Sequence, residues 1–385
     1  MKAPLHERFA DFIVGLIRPI IVFLMERELK VTHFGDKITK DREPFILISN
    51  HFNTWDAFAL MKHNKTRIRF VVTEIAFLDK SKKALLKYIA RAIRKRVGKK
   101  DVKATKEMFR YLKMGYSIGV FPEGDNTYYG ETLEIFQNTG RLLKKTNVDV
   151  VLTKQALGYI SQPRWADYFS KSGQLHTYTK TIITKEELKE LEPDQITKIV
   201  EKELYHNDYD YQREHMIPMK RKKRAEGIER LIYYCNKCNS VMTIYGEDSH
   251  INCSTCGTIG TINEFEFIEG NKHDNLVDYN KEQYSHIEEV IHSEFSFPVT
   301  LNVVNTKKLK NKKVGKYTLY YKDKKITLKN NKETRVFDLK DIKHQVNTMR
   351  HSFSFDYKEV TYNFTDIKHQ FVLFEMCRYL NGSYK

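Results

Sequence analysis

A histidine and an aspartate stand five residues apart, directly after a short apolar segment of the chain. His51 and Asp56 follow Pro44–Ser49, a segment typical of a buried strand. A carboxylate beside an imidazole fixes the tautomer of the ring and stabilises the imidazolium, so the pair can act as a general base. No serine or cysteine nucleophile is required when the substrate itself brings the attacking hydroxyl. The structural alternative is a histidine at a strand end and an aspartate that begins the next helix.

A second polar block follows another apolar segment about 70 residues later. Phe121–Gly124 (Phe-Pro-Glu-Gly) comes at the end of Ser117–Phe121 and continues into Asp125–Thr127 (Asp-Asn-Thr). The same residue types also make turns, so a plain turn is the alternative. Two such loops, each placed after an apolar strand, are more informative than either of them alone.

Apolar and amphipathic segments alternate between residues 44 and 152, and they decide where these two blocks lie. The predicted strands are Pro44–Ser49, Ile68–Val72, Ser117–Phe121 and Val148–Leu152, and the predicted helices are Trp55–Lys62, Ser81–Arg96 and Asp101–Met114. This β-α alternation predicts an α/β fold with a mixed, largely parallel sheet flanked by helices. Loops of such sheets place reactive groups at strand ends, where both polar blocks stand.

Four of the five cysteines form two C-x-x-C pairs that are separated by 14 residues. Two such pairs supply four thiolates to one ion, which predicts a closed, structural zinc site of the ribbon type. The alternatives are a different metal or a redox-active pair. The predicted ligands are Cys235, Cys238, Cys253 and Cys256. Cys377 is expected to be a small, buried apolar residue.

After the ribbon, the hydrophobic pattern changes from helical spacing to alternation. Short strands are expected over Tyr317–Tyr321, Lys325–Lys329, Arg335–Asp338, Ser352–Tyr357 and Val360–Phe364. A helix over Thr365–Tyr379 is expected to follow, and together they predict a small β-rich domain like a pleckstrin-homology domain. The predicted division is a membrane-surface helical segment (1–30), an α/β domain (31–215), a linker with the zinc ribbon (216–270), and a helix plus the β-rich domain (271–385). The basic run Lys220–Arg224 is expected to be a solvated linker.

Composition narrows the classes of protein to which the 385-residue chain can belong. Aromatic residues make up 12% of the chain, and the mean hydropathy is −0.56. These values exclude a disordered or collagen-like chain and a polytopic membrane protein. The formal net charge of +17 favours an anionic partner such as nucleic acid, anionic lipid or an acidic small molecule. No secretory signal is evident, and paired cysteines of this kind indicate a reduced compartment.

The N-terminal residues 9–25 hold two apolar runs separated by Arg18 and Pro19. A bilayer span needs about 20 mostly apolar residues, so this segment is too short and carries a charge at its middle. The pattern suits a pair of helices lying in the membrane surface. The alternative is an N-terminal helix packed on the protein core.

The two polar blocks resemble those of the glycerolipid acyltransferase superfamily, whose bacterial members include 1-acylglycerol-3-phosphate acyltransferases. That superfamily is marked by an Asn-His-x4-Asp block and a Phe-Pro-Glu-Gly block, which stand here at Asn50–Asp56 and Phe121–Gly124. Leu16–Pro19 and Gly130–Thr132 agree with it as well. Ser161–Trp165, together with the cysteines that follow, resembles a subgroup in which the acyltransferase domain precedes a zinc-ribbon-like segment.

The resemblance implies that residues 31–215 form an acyltransferase domain. Its reaction moves a fatty acyl group from acyl-CoA or acyl carrier protein to a hydroxyl of a lysophospholipid or related glycerolipid. His51 is implied as the general base and Asp56 as the residue that orients it. The residues implied around the substrate are Asn50, Glu123, Gly124, Asn126 and Thr127.

This chain departs from the superfamily pattern at two places that concern the acceptor. Asn126 and Thr127 stand where arginine and serine are usual, and Val72–Glu74 lacks the basic residue usual near the second strand. Charge-assisted hydrogen bonds to a phosphate are roughly twice as strong as neutral ones. A neutral, glycosylated or otherwise altered lipid is therefore an alternative to a phosphate-bearing acceptor.

The segment between Lys80 and Lys100 holds ten basic residues and no acid. Together with the apolar stripe of the predicted helix Ser81–Arg96, it suits an anionic membrane surface. The same charges suit the phosphates of coenzyme A, the acidic surface of acyl carrier protein, or a solvated helix face.

We therefore expect a peripheral or monotopic enzyme on the cytoplasmic face of a membrane. Two other classes of protein are kept as alternatives. One is a non-catalytic lipid-binding or scaffold protein on the acyltransferase fold. The other is a nucleic-acid-binding protein, which is ranked last because the aromatic residues are not interleaved with the basic clusters.

Overall fold

The structure is a computed structural model that describes residues 3–39, 42–53, 55–78, 83–96, 101–305, 310–348, 350 and 352–382. The chain forms two compact units. The first comprises Met1–Pro163 and Phe169–Lys220, and the second comprises Arg164–Tyr168 and Arg221–Lys385. The division predicted at residues 215 and 270 stays a prediction.

The first unit is built on a sheet whose described residues form seven strands, in the order β1-β7-β6-β2-β5-β3-β4. The strands are β1 (Leu29–Gly35), β2 (Ile46–Ile48), β3 (Ile68–Thr73), β4 (Ile93–Lys95), β5 (Ser117–Val120), β6 (Val150–Ala156) and β7 (Gly173–Ile183). Only β6 and β7 pair antiparallel, and the other neighbours are parallel. The predicted α/β class with a largely parallel sheet is confirmed.

Helices cover this sheet. They are α1 (Leu5–Glu28), α2 (Asp56–His63), α3 (Val102–Lys113), α4 (Thr139–Thr146), α5 (Gly158–Ser161), α6 (Lys185–Glu190), α7 (Pro193–Leu204) and α8 (Asp208–His215). Strand β2 is buried on both faces. Ile46 and Ile48 join a core cluster with residues of α3, α4 and α7, whereas Phe45 and Leu47 pack in a second cluster with Leu60 of α2. Burial on both faces explains the unbroken apolar run of this strand.

The predicted helix Ser81–Arg96 is wrong in its second half. Its first two residues lie outside the described part of the chain, which then forms one π-helical turn over Leu85–Ile89 and enters β4. The backbone of Arg91 is left-handed, with φ 51°, a conformation that cannot continue a right-handed helix. Ile93 is fully buried in β4. A strand, not a helix, therefore buries this apolar residue. Of the basic residues in this stretch, Lys80, Lys82, Lys99 and Lys100 lie outside the described residues.

The N-terminal segment is a single helix with Pro19 inside it, so the predicted helix pair is wrong. The helix continues through Arg18. The charge of this residue is accommodated because its half-buried guanidinium binds the C-terminal end of α2. It donates to the carbonyl oxygens of Met61, Lys62 and Asn64. Carbonyls at a helix C-terminus lack partners within their own helix, and a cation is favourable there. No described helix is long and apolar enough to cross a membrane.

The second unit contains the ribbon and a larger antiparallel sheet. The ribbon strands are β8 (Ile244–Glu247), β9 (His250–Cys253), β10 (Gly257–Ile262) and β11 (Ile268–Glu269), followed by α9 (Leu276–Ser285) and α10 (Ile287–Ile291). The larger sheet contains β12 (Phe295–Asn305), β13 (Lys310–Lys322), β14 (Lys325–Lys329), β15 (Thr334–Asp338), β16 (Lys343–Thr348), β17 (Ser352–Tyr357) and β18 (Val360–Thr365), and α11 (Gln370–Leu380) follows it. The order of this sheet is β15-β14-β13-β12-β18-β17-β16.

The predicted C-terminal strands are present, while β12 and β16 were not predicted. The final helix begins at Gln370 rather than Thr365, because Thr365 pairs with β12 and β17 at the end of β18. Cys377 is fully buried, as expected. The likeness to a pleckstrin-homology domain stays a prediction.

The basic run Lys220–Arg224 is only in part the solvated segment that its charge predicted, because Lys220, Lys222 and Lys223 are exposed but Arg221 is not. The Arg221 side chain is fully buried and forms a two-point hydrogen-bonded ion pair with Glu266 of the second unit, which is also buried. Arg224 lies 3.7 Å from the same carboxylate. A buried carboxylate needs such partners to stay charged away from water, and this long-range pairing explains why the run is not fully solvated.

Candidate active site

The register of the central strands brings the two polar blocks to one edge of the sheet. Ile48 of β2 pairs in parallel with Val120 of β5. His51 and Glu123 each stand three residues beyond these paired positions, so they leave the sheet side by side. The contact is direct, because the backbone N–H of His51 donates to Oε1 of Glu123 at 2.8 Å.

The predicted imidazole–carboxylate pair is formed. Nδ1 of His51 is hydrogen-bonded to Oδ2 of Asp56, the first residue of α2. Oδ2 also accepts the backbone N–H of Phe52 at 2.8 Å, and Oδ1 accepts that of Asn53 at 3.2 Å. Burial raises the pKa of Asp56, while the imidazole and the two backbone N–H groups act in the opposite direction. The His51 ring stacks on Phe121 with centroids 4.1 Å apart. Since Nδ1 is occupied, Nε2 is the nitrogen that remains for a substrate.

Glu123 ties the second block to the first. One carboxylate oxygen accepts the His51 N–H, and the other accepts the N–H of Leu133 at 2.6 Å. Burial raises the pKa of Glu123 to about 8. Because each oxygen is bound to the backbone of a different loop, this side chain fixes the position of the loops around His51.

Replacement of Glu123 by glutamine tests this positioning role. The amide NH2 cannot accept a hydrogen bond, so one of the two half-buried backbone N–H groups loses its partner. We expect the free energy of unfolding to fall by about 1–3 kcal/mol, measured by urea denaturation. Glu134→Gln changes an exposed glutamate nearby and serves as the control. Equal stability of the two variants would contradict the assigned role.

The remaining predicted site residues are gathered at the same edge but bind mainly to the protein itself. Asn50 exchanges two hydrogen bonds with the backbone of Gln155, at 2.7 and 2.8 Å. Asn126 donates to the carbonyl oxygen of Phe52 at 3.2 Å. The hydroxyl of Thr127 donates to the Glu131 carbonyl oxygen at 2.6 Å. These contacts shape the two loops.

Gly124 has a conformation that other residues rarely adopt. Its φ is 74°, and a Cβ at this position would lie 2.5 Å from the ring of Phe136. Glycine therefore allows the turn and lets the aromatic ring close over it. The predicted importance of this position has a physical reason in the backbone.

A small polar cavity opens beside His51, and it contains a second imidazole–carboxylate pair that the sequence analysis missed. Nε2 of His206 lies 2.6 Å from Oδ1 of Asp208. Asp208 also accepts backbone N–H groups at the start of α5. In the sequence, this pair is marked only by the pattern His-x-Asp, which is too common in proteins to indicate a functional site. Other residues lining this cavity are Asn50, Glu123, Thr127, Gln155 and Tyr159.

Lys95 is a further residue that the sequence analysis did not assign to the site. It lies at the end of β4, paired in register with Thr73 of β3. Its ammonium stands 4.2 Å from the centroid of Phe136, the ring that closes over Gly124. Burial lowers the pKa of Lys95. Lys95 therefore places a basic side chain near the Phe-Pro-Glu-Gly block. It lies next to Val72–Glu74, the stretch that has no basic residue of its own.

In the second unit, the four predicted cysteine ligands come together. Their sulfur atoms all lie within 4.8 Å of one another. Sγ of Cys235 is 3.7 Å from that of Cys256, and Sγ of Cys238 is 3.7 Å from that of Cys253. Four thiolates on one tetrahedral ion with metal–sulfur bonds of about 2.3 Å have similar separations. The residues present fit a tetrahedral metal ion.

Comparison with known proteins agrees with the arrangement at the sheet edge. Residues 30–152 match the acyltransferase family model. Among solved structures, the chain is similar to the 1-acyl-sn-glycerophosphate (LPA) acyltransferase PlsC from Thermotoga maritima. The identity is 17%, the match covers 55% of this chain and 83% of that chain, and the TM-score is 0.42. No curated protein sequence matches the chain.

Proposed function

We propose that this protein is an O-acyltransferase that moves a fatty acyl group from an acyl thioester to a hydroxyl of a lysophospholipid or related glycerolipid. The observation that carries the proposal is the hydrogen bond between His51 and the buried Asp56, inside the segment that matches the acyltransferase family.

In the proposed reaction, Nε2 of His51 removes the proton of the acceptor hydroxyl while that oxygen attacks the thioester carbonyl. Asp56 holds the ring through Nδ1 and stabilises the imidazolium. The tetrahedral intermediate then breaks its carbon–sulfur bond, and the thiolate takes the proton from Nε2. The products are the ester and the free thiol. General base catalysis of this kind contributes about 10²–10⁴-fold.

An acyl transfer assay tests the proposal. Purified protein is incubated with labelled acyl-CoA or acyl carrier protein and a panel of lysophospholipids and monoacylglycerol, and products are identified by lipid mass spectrometry. The expected result is a diacyl product from at least one lysolipid. Lipid binding without any acyl product would instead favour the non-catalytic scaffold.

We further propose that Lys95 holds the phosphate of the acceptor. Its position supports this role, because it stands beside the Phe136 ring that covers Gly124. The residues Asn126 and Thr127 carry no charge, so a nearby ammonium would supply the charge-assisted contact that they lack. Phosphate-bearing lysolipids are therefore the preferred class of acceptor.

Replacement of Lys95 by alanine is expected to raise the KM for a phosphate-bearing lysolipid about 10–100-fold. The KM for monoacylglycerol should change little, because that acceptor has no phosphate. Lys95→Arg retains the charge and is the matched control. An equal loss with both acceptors would assign Lys95 a structural role.

We propose that α1 attaches the enzyme to a membrane surface as a peripheral or monotopic anchor on the cytoplasmic face. One side of this helix carries apolar side chains at intervals of three or four residues, each between 58% and 80% exposed. They are Leu5, Phe9, Phe12, Leu16, Ile20 and Phe23. The other side is held to the first unit by polar contacts, including those of Glu7 and Asp11 with Arg69 at 3.2 and 2.6 Å. An amphipathic helix of this kind lies in the interface of a bilayer.

Removing two aromatic residues from this stripe should weaken vesicle binding. For Phe12→Ser/Phe23→Ser, we expect about 100-fold or greater loss of partitioning into phosphatidylglycerol-containing vesicles, because each of the two aromatic rings contributes about 1.5–3 kcal/mol when buried. Flotation measures the bound fraction. The control removes two other exposed apolar residues, in Phe34→Ser/Val336→Ser. If both variants float like the unchanged protein, α1 is not the anchor.

We propose that the four clustered thiolates hold a structural zinc ion in the ribbon. Cys235 and Cys253 are fully buried, and the closed set of four protein ligands leaves no open position for a substrate. When bound, zinc would cross-link the two C-x-x-C turns and stabilise the fold of the ribbon.

A further inference from the structure

A groove of about 630 Å³ lies at the edge of the first unit's sheet, between β4 and the first turns of α3. This volume falls within the usual range for sites that bind small ligands. Basic side chains from both elements line the groove. They are Arg94, Arg96, Lys103, Lys106 and Arg110.

The positive charge of this groove is not neutralised by its acidic residues. The carboxylate of Asp101 is bound to the backbone N–H groups of Arg96, Lys103 and Ala104, at 3.0–3.1 Å, where it caps α3. Glu107 pairs with Arg110 at 3.3 Å. Within the described part of the chain, the side chains of Arg94, Lys103 and Lys106 form no ion pair. Several unpaired cations around one groove call for a ligand that carries several negative charges.

The groove and the catalytic pair share one edge of the sheet. β4 is parallel to β3, so the two strands end at the same edge of the sheet. In the order β2-β5-β3-β4, three strand spacings separate the end of β2, which precedes His51, from the end of β4, which precedes Arg96. At about 4.8 Å for each spacing, the separation is about 14 Å. A pantetheine arm, which joins a thioester to the phosphates of its carrier through a long chain of single bonds, can reach over such a distance.

We propose that this groove binds the nucleotide end of acyl-coenzyme A, with its phosphates among Arg94, Arg96, Lys103 and Lys106. The inference rests on the proposed acyl transfer and names its donor. Coenzyme A is favoured over acyl carrier protein for two reasons. Its nucleotide end carries three phosphate groups against the single phosphodiester of the protein carrier, and the groove has room for an adenosine.

The test removes two exposed lysines from the groove, in Lys103→Ala/Lys106→Ala. The matched control, Lys198→Ala/Lys202→Ala, removes two exposed lysines from α7. With acyl-CoA, we expect kcat/KM to fall about tenfold in the groove variant only, as expected for two contacts of exposed charges. With acyl-pantetheine, which lacks the nucleotide, both variants should match the unchanged protein. An equal loss with both donors would overturn the proposal.

A binding measurement separates this inference from the proposed reaction. Calorimetric titration with coenzyme A needs no turnover, so it remains informative if no acyl product is found. The expected result is an approximately tenfold weaker Kd for the groove variant and an unchanged Kd for the control. Unchanged coenzyme A binding in the groove variant, or a loss of rate confined to acyl carrier protein as donor, would overturn the assignment to the nucleotide.

Discussion

Replacement of His51 by alanine is expected to lower kcat for acyl transfer about 10³-fold, within the usual range for loss of a general base. Nε2 of His51 is the basic atom that Asp56 orients through Nδ1, so the alanine variant lacks the base of the proposed reaction. The fold should tolerate the change, since the His51 side chain is partly exposed. The measurement is kcat with saturating donor and acceptor, with circular dichroism to compare the folds.

Asp56→Asn is the partner variant, and it should lower kcat on the order of 10³-fold as well. The asparagine amide would donate a hydrogen bond to Nδ1 of His51 and so favour the tautomer that carries its proton on Nε2. In that tautomer, Nε2 cannot accept the proton of the acceptor hydroxyl. His215→Ala removes an exposed histidine of α8 and is the control. If His51→Ala keeps more than a tenth of the rate, the enzyme hypothesis in its present form is wrong.

The parts of this site that the sequence predicted are the local ones. His51 and Asp56 are five residues apart, and the turn between a buried strand and a helix suffices to bring them into contact. Gly124 was also predictable, because Pro-Glu-Gly-Asp is turn chemistry. The alternation of mainly apolar strands with helices indicated a largely parallel sheet, in which the ends of both strands share one edge.

The parts that were missed depend on contacts distant along the chain. Lys95 reaches the second block only because β4 pairs with β3, and the helical spacing around Ile93 predicted a helix instead. Arg221 lies in a run of charges, yet it is buried because Glu266, 45 residues later, offers a carboxylate inside the second unit. Neither partner can be read from the local pattern. Glu123 was predicted as a substrate residue, while its hydrogen bonds to two loops became visible only with the register of β2 and β5.

Loss of the predicted zinc ion should unfold the ribbon. Structural zinc sites contribute about 10–16 kcal/mol of apparent binding free energy, which is comparable to the whole stability of a typical domain at about 5–15 kcal/mol. The ribbon strands are short, with four residues each in β8 and β9. We therefore expect Cys253→Ser, or treatment with a strong chelator, to abolish amide hydrogen-exchange protection across residues 235–262.

The metal content gives the direct comparison. The unchanged protein is expected to contain one zinc ion per chain by elemental analysis, and Cys253→Ser should contain less than a tenth of that amount. Cys377→Ser alters a buried cysteine of α11 outside the cluster, so this variant should keep the full zinc content. Its free energy of unfolding should fall, because a hydroxyl is buried in place of the thiol. The redox alternative predicts a different result. The purified protein would contain no zinc or other metal, and the ribbon would be protected from amide hydrogen exchange only when the four cysteines are oxidised to disulfides.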